Sequence, residues 1–181
     1  MPSAADGFSA WSSVRGELER ALAAVPREPV DALVARLRHS PGRLFFSGQG
    51  RSGLLAQMAA MRFMHLGLAT HAVGESTAPA VGPGDTLLVI SGSGRTATVV
   101  EHARVAAAVG ATVLLVTQRS TGPVHDIAHE TLIIEVGESV QFGNTLFEHV
   151  ALVLLDSVAL ALMGEVEDAA AQMHRRHTNL Q

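Results

Sequence analysis

The chain has 181 residues, 48% of them apolar and 17% charged, which fits one domain with a sizeable core and argues against disorder. A net charge of −4 speaks against general affinity for nucleic acid or an anionic membrane. Without cysteine there is no disulfide, thiolate metal site or thiol nucleophile.

The opening "MPSAADGFSAW" lacks the basic and then apolar stretches of a signal peptide, so a soluble cytoplasmic protein is expected. Residues 8–39 carry helical spacing and are punctuated into two helices by Pro26 and Pro29. "RLFFS" (43–47) reads as a buried strand, and "SGLLAQMAAMRFMHLG" as a helix stopped by Gly67. "THAV" (70–73) is a short strand and "APAVGPGD" a loop. "TLLVIS" (86–91) is an apolar run of the kind buried on both faces of a sheet. A helix is expected over Arg95–Val109, then a strand "ATVLLVT" (111–117), a brief helix "PVHDIAH" and a strand "TLIIEV" (131–136). A long helix should run from Thr145 to about Met163. Its most apolar segment, "VALVLLDSVALALM", is interrupted by Asp156 and too short for a membrane span. The alternation of strands and helices predicts a three-layer α/β fold, a five-stranded parallel sheet flanked by helices.

Two glycine-rich turns, "GQGRSG" (48–53) and "SGSGRT" (91–96), each follow a strand and open a helix. Ligands of open parallel sheets bind beyond such strand ends, and helix N-termini suit an anion. Ser91, Ser93 and Thr96 add hydroxyls without bulk, a plausible cradle for one phosphate. The plainer reading is that these residues make tight turns and caps. Gly48, Gly50 and Gly53 match a dinucleotide fingerprint, but no acidic residue ends the next strand. "SGSGRT" also lacks the lysine of a triphosphate-binding loop.

"GQGRSG", "MRFMHLG", "GESTAPAVGPGDTLLVISGSGRT", "GNTLFEH" and the terminal "RHTNLQ" together resemble the 6-phospho-3-hexuloisomerases of the sugar isomerase (SIS) fold family. The resemblance runs from about residue 8 to the end. It implies a sheet of flavodoxin-like order in an SIS domain over 41–181, with residues 1–40 forming helices packed on it. It also implies a homotetramer without cofactor that converts D-arabino-hex-3-ulose 6-phosphate into fructose 6-phosphate. The alternatives are a non-catalytic sugar-phosphate sensor, or an SIS isomerase of another sugar phosphate. Sensors of this kind are usually fused to a DNA-binding module, for which residues 1–40 are too short. Two positions depart from the pattern: Arg95, where relatives often carry Glu, and Asn144, where they often carry a small residue.

Moving a carbonyl from C3 to C2 requires a proton taken from C2 and returned at C3 through a cis-enediol, which one base can do. A five-membered ring closed on C3 would need the phosphorylated O6, so the substrate is open-chain and no ring-opening acid is needed. By resemblance Glu148 is the base, although Thr145-x-x-Glu148 also reads as a capping box. His65 falls on the row Leu54, Met58, Met61, His65, which suggests a buried core histidine; the resemblance makes it a possible catalytic contributor. Gly50, Arg51 and Ser52 are expected to contact substrate, Arg51 otherwise being a solvated helix start. His177 lies in a polar tail of the kind that usually frays, yet the tail resembles one that reaches a site, a neighbour's included. His125 and His129 are spaced like metal ligands on a helix but lack a carboxylate motif, so no metal is expected. The long helix is apolar nearly all round, and a subunit interface is expected to take part of it, with Asp156 facing water or a partner across that interface.

Overall fold

A computed structural model describes residues 6–164 and 166–180. The first five positions of the expected N-terminal helical segment, Glu165, and the last residue of "RHTNLQ" lie outside these. Two helices, α1 (Gly7–Ala24) and α2 (Arg27–Arg38), precede the first strand. Asp6 caps α1 by accepting the Ser9 amide at 2.8 Å. Then follow β1 (Leu44–Ser47), α3 (Arg51–His65), β2 (Thr70–Ala72), β3 (Thr86–Ile90), α4 (Ala97–Ala108), β4 (Thr112–Thr117) and β5 (Glu130–Ile133). The chain ends in α5 (Thr145–Met163) and α6 (Ala169–Arg176).

All five strands are parallel, in the order β2-β1-β3-β4-β5. Side chains alternate between the two faces of the sheet. Phe46, Leu88, Ile90, Leu114 and Val116 pack under α1, α2, α3 and α5. Phe45, Leu87, Val89, Val113 and Leu115 pack under α4 and Val124. The faces are therefore unequally covered. Arg43 and the buried Asp85 tie the amino ends of β1 and β3, with guanidinium nitrogens 2.7 and 3.2 Å from the carboxylate.

Three expectations are corrected. "PVHDIAH" forms consecutive hydrogen-bonded turns, not a helix; Pro123 begins a segment too short to propagate one. His129 within it accepts the Val113 amide at 3.0 Å and so fastens β4 to its neighbour segment. The row Leu54, Met58, Met61 is the exposed side of α3, while Leu55, Ala56, Ala59, Ala60 and Phe63 face the core. His65 is accordingly half-buried and not a core residue. The expected elements end near Met163, yet α6 follows, ahead of the exposed polar tail, and its Arg176 donates to the His65 carbonyl at 3.1 Å.

By length and hydropathy α5 could cross a membrane, but Leu146, Phe147, Val150, Leu154, Leu155 and Val158 are buried in the core between the sheet and the other helices. Asp156 pairs with Arg62 of α3 at 3.1 Å, so its partner lies within the chain.

Candidate active site

β1 and β3 are neighbours, but their onward connections lead to opposite sides of the sheet, β1 to β2 and β3 to β4. Such a switch opens a cleft at the carboxyl ends of the strands, and both glycine-rich turns lie there. At the first, Gly50 holds φ 57°, ψ −130° and starts α3. A Cβ at Gly48 would collide with the Ser52 carbonyl, so only glycine permits this tight turn. In the first turn of α3 the Gly53 and Leu54 amides donate to the Gly50 carbonyl at 3.0 and 3.2 Å, and the positive end of the helix lies just past the carboxyl end of β1. Ser52 is buried and Arg51 exposed.

In the second turn Ser91 is buried and its Oγ accepts the Gly94 amide at 3.2 Å. The Ser93 Oγ accepts the Arg95 amide, also at 3.2 Å. Both hydroxyls thus use acceptor capacity on the turn, which leaves their donor capacity unspent in these two bonds. Thr96 begins α4 with no side-chain cap bond, leaving its exposed hydroxyl uncommitted to the helix. Arg95 is exposed and lies across Gly122.

A third element converges here that the sequence reading did not single out. Gln118, just past β4, donates to Asn144 Oδ1 at 3.1 Å. A Cβ on Gly92 would come within 2.9 Å of both carboxamide nitrogens, so glycine at 92 and asparagine at 144 are matched. Gln118 could have been suspected from its place at a strand's carboxyl end, but a lone glutamine carries no spacing signal.

The capping box does not form. Asn144 occupies the cap position without a side-chain bond to the helix amides, and Thr145 Oγ1 donates to the Phe142 carbonyl at 2.6 Å. Glu148 instead reaches α3, where its Oε2 lies 2.7 Å from Arg51 Nε. Arg51 Nη1 also donates to Thr145 Oγ1 at 3.0 Å. The Glu148 side chain is 13% exposed and that of Arg51 50%. Burial pushes the Glu148 carboxyl above the ordinary range, against the opposing pull of Arg51 and His149. Its place beside the two glycine-rich turns makes this carboxylate a candidate general base.

His65 and His177 are brought together, but not to Glu148. Their rings stack with centroids 5.3 Å apart at 16°. They sit at the far end of α3, fourteen residues or about 21 Å from Arg51 at 1.5 Å per residue. Burial, with the nearby His177 and Arg62, holds His65 below the usual histidine value.

Residues 36–161 match the SIS domain family. The chain is 40% identical over 178 residues to the 3-hexulose-6-phosphate isomerase of Mycobacterium gastri, covering 94% of this chain and 89% of that one. The chain belongs to the SIS-domain family, in its 3-hexulose-6-phosphate isomerase branch. The protein of that name from Methanocaldococcus jannaschii is 35% identical, with 85% of each chain covered. A crystal structure from Methanococcus jannaschii, described as inferring a 3-hexulose-6-phosphate isomerase function, superposes with a TM-score of 0.85. Its identity is 30%, and the match covers 95% of this chain and 99% of that one. The turns at 48–53 and 91–96 both lie against the start of α5, the first through Arg51 with Thr145 and Glu148, the second through Gly92 with Asn144.

Proposed function

We propose that this protein interconverts D-arabino-hex-3-ulose 6-phosphate and fructose 6-phosphate, with Glu148 as the base. The observation that carries the assignment of the base is the turning of the Glu148 carboxylate away from its own helix cap into the cleft where both glycine-rich turns end. The identity to named isomerases over most of the chain supports the activity.

The phosphate is held by the Ser91, Ser93 and Thr96 hydroxyls at the second turn, and Gly50 and Ser52 line the first. Glu148 takes the proton from C2, leaving a cis-enediolate, and returns it at C3. A second proton passes from O2 to O3. Arg51, half-exposed and adjacent to Glu148, is placed to swing its free donors onto the developing negative oxygen, where such a charge is most stabilising.

The His65–His177 pair, an α3 length away, serves a neighbouring subunit's cleft or none. Leu54, Met58 and Met61 on α3 and Leu160 on α5, all more than 40% exposed, supply an apolar surface for a second copy. A homo-oligomer, a tetramer by family resemblance, fits that surface, and an enzyme of the ribulose monophosphate route in the cytoplasm fits the activity. Within the 1–40 segment, α1 and α2 act as helices packed on the SIS unit.

The test is conversion of the hexulose phosphate by purified protein with no cofactor added. Run in deuterated water, it should place deuterium at C3 of the fructose 6-phosphate. Absence of product would overturn the activity.

A further inference from the structure

One buried carboxylate lies outside all of this chemistry. Glu17, in the middle of α1, is 7% exposed. It accepts three hydrogen bonds from the segment that leads into α5, a stretch more than 120 residues away in sequence. Its Oε1 takes the Val140 amide at 2.7 Å, and its Oε2 takes the Ser139 hydroxyl at 2.7 Å and the Gln141 side-chain amide at 2.9 Å. Together with nearby Arg20, these bonds hold the carboxyl below the usual glutamate range, so it is ionised and charge-assisted at neutral pH. The two apolar side chains of this segment add little to its anchoring: Val140 and Phe142 are 80% and 88% exposed.

From the latched residues a line of hydrogen bonds leads to the candidate base. Gln141 is followed by Phe142, whose carbonyl holds Thr145 Oγ1; that oxygen accepts Arg51 Nη1, and Arg51 pairs with Glu148. Gly143, at φ 62°, lies against Arg51 in the same turn.

We infer that Glu17 is a positioning residue for the isomerisation: it latches residues 139–141 to α1 and so fixes the turn that aims Asn144, Thr145, Arg51 and Glu148 at the cleft. The inference rests on the activity proposed above. The phosphate turn at 91–96 is built by other elements, so loss of the latch should act on the chemical step more than on substrate capture.

Kinetics and amide hydrogen exchange on full-length Glu17→Ala and Glu17→Gln test it. The control is Asp85→Asn, which weakens the fold at the amino ends of the central strands, opposite the cleft. Glu17→Ala should lower kcat at least tenfold, with KM changed less than threefold, well below its melting temperature. Exchange over 138–148 should quicken while β3 stays protected. Glu17→Gln, which keeps the length and an acceptor, should recover kcat to within about threefold of wild type. Should Glu17→Ala not fold, the Ser139→Ala/Gln141→Ala double variant removes two of the three bonds from the other side and is read the same way. A Glu17→Ala enzyme with kcat within twofold of wild type would overturn the inference. So would a loss matched by Asp85→Asn at equal distance from melting, or unchanged exchange over 138–148. Inactivity of the wild-type protein towards hexulose phosphate would instead overturn the activity itself, and the exchange measurement would still judge the latch.

Discussion

Replacing Glu148 by Gln separates catalysis from architecture. The carboxylate makes no cap bond, so the substitution leaves the start of α5 intact. Its one strong partner, Arg51, is half-exposed and can be hydrated when released, which limits the loss of stability to about 0–1 kcal/mol. Loss of a general base costs roughly a hundred- to ten-thousand-fold in rate. At about 1.36 kcal/mol per tenfold, that is about 2.7–5.4 kcal/mol in the transition state. The two effects therefore differ severalfold in energy and fall on different observables. The assay is kcat on the hexulose phosphate together with deuterium incorporation at C3, alongside thermal melts with and without inorganic phosphate. The expected variant melts within a few degrees of wild type, gains stability from phosphate as wild type does, and loses both turnover and isotope incorporation. A folded Glu148→Gln enzyme with kcat within tenfold of wild type would refute the assignment and move attention to His65 and His177.

Because burial raises the Glu148 carboxyl, kcat/KM should fall on the acid side at a pH above the ordinary carboxylate value of about 4.3. Arg51→Met, which removes the opposing positive charge, should move that limb to still higher pH; a pH–rate profile reads both. Asp85 is pushed up by burial, but the Arg43 guanidinium and the Arg43 and Gly82 amides together outweigh this and hold it below the ordinary aspartate value. Its contribution to stability is therefore complete above the unfolded pKa of about 4 and lost as the pH falls through the lowered folded value. Asp85→Asn should be less stable than wild type at pH 7, the gap closing below pH 4 in denaturant titrations. Met58→Asp, on the exposed row of α3, should lower the sedimenting mass without unfolding the chain; an unchanged mass would exclude that row from any interface.

The strands and both turns were legible because their signals are local. β3 is apolar at four of its five positions and buried at all five, and each glycine-rich turn sits where an apolar run stops. The limits of α5 also followed from its apolar run alone. Pairings between distant segments were not legible. Thr145 and Glu148 have capping-box spacing, yet Arg51, which lies about a hundred positions earlier, captures both. Spacing likewise found an apolar row on α3 but not the side it faces. The core side is built of Ala56, Ala59 and Ala60, small residues that let the helix approach the sheet and register weakly as hydrophobic. Glu17 was invisible for the same reason: its partners on 139–141 are ordinary polar residues until the fold brings them to α1.

The two ion pairs between α3 and α5 deserve to be considered as one mechanical unit. Arg51–Glu148 joins the helices near the cleft, and Arg62–Asp156 joins them again about three turns further along α3. Two ties spaced along two packed rods oppose sliding of one past the other, adding to the apolar contacts between them. The spacing between the Glu148 carboxylate on one rod and the amino end of the other is thereby favoured in one registration, like two rails held to gauge by ties. Strain applied to the outer surface of either helix, as by assembly with another copy, would be transmitted as movement of the whole pair and would leave the gauge at the cleft unchanged.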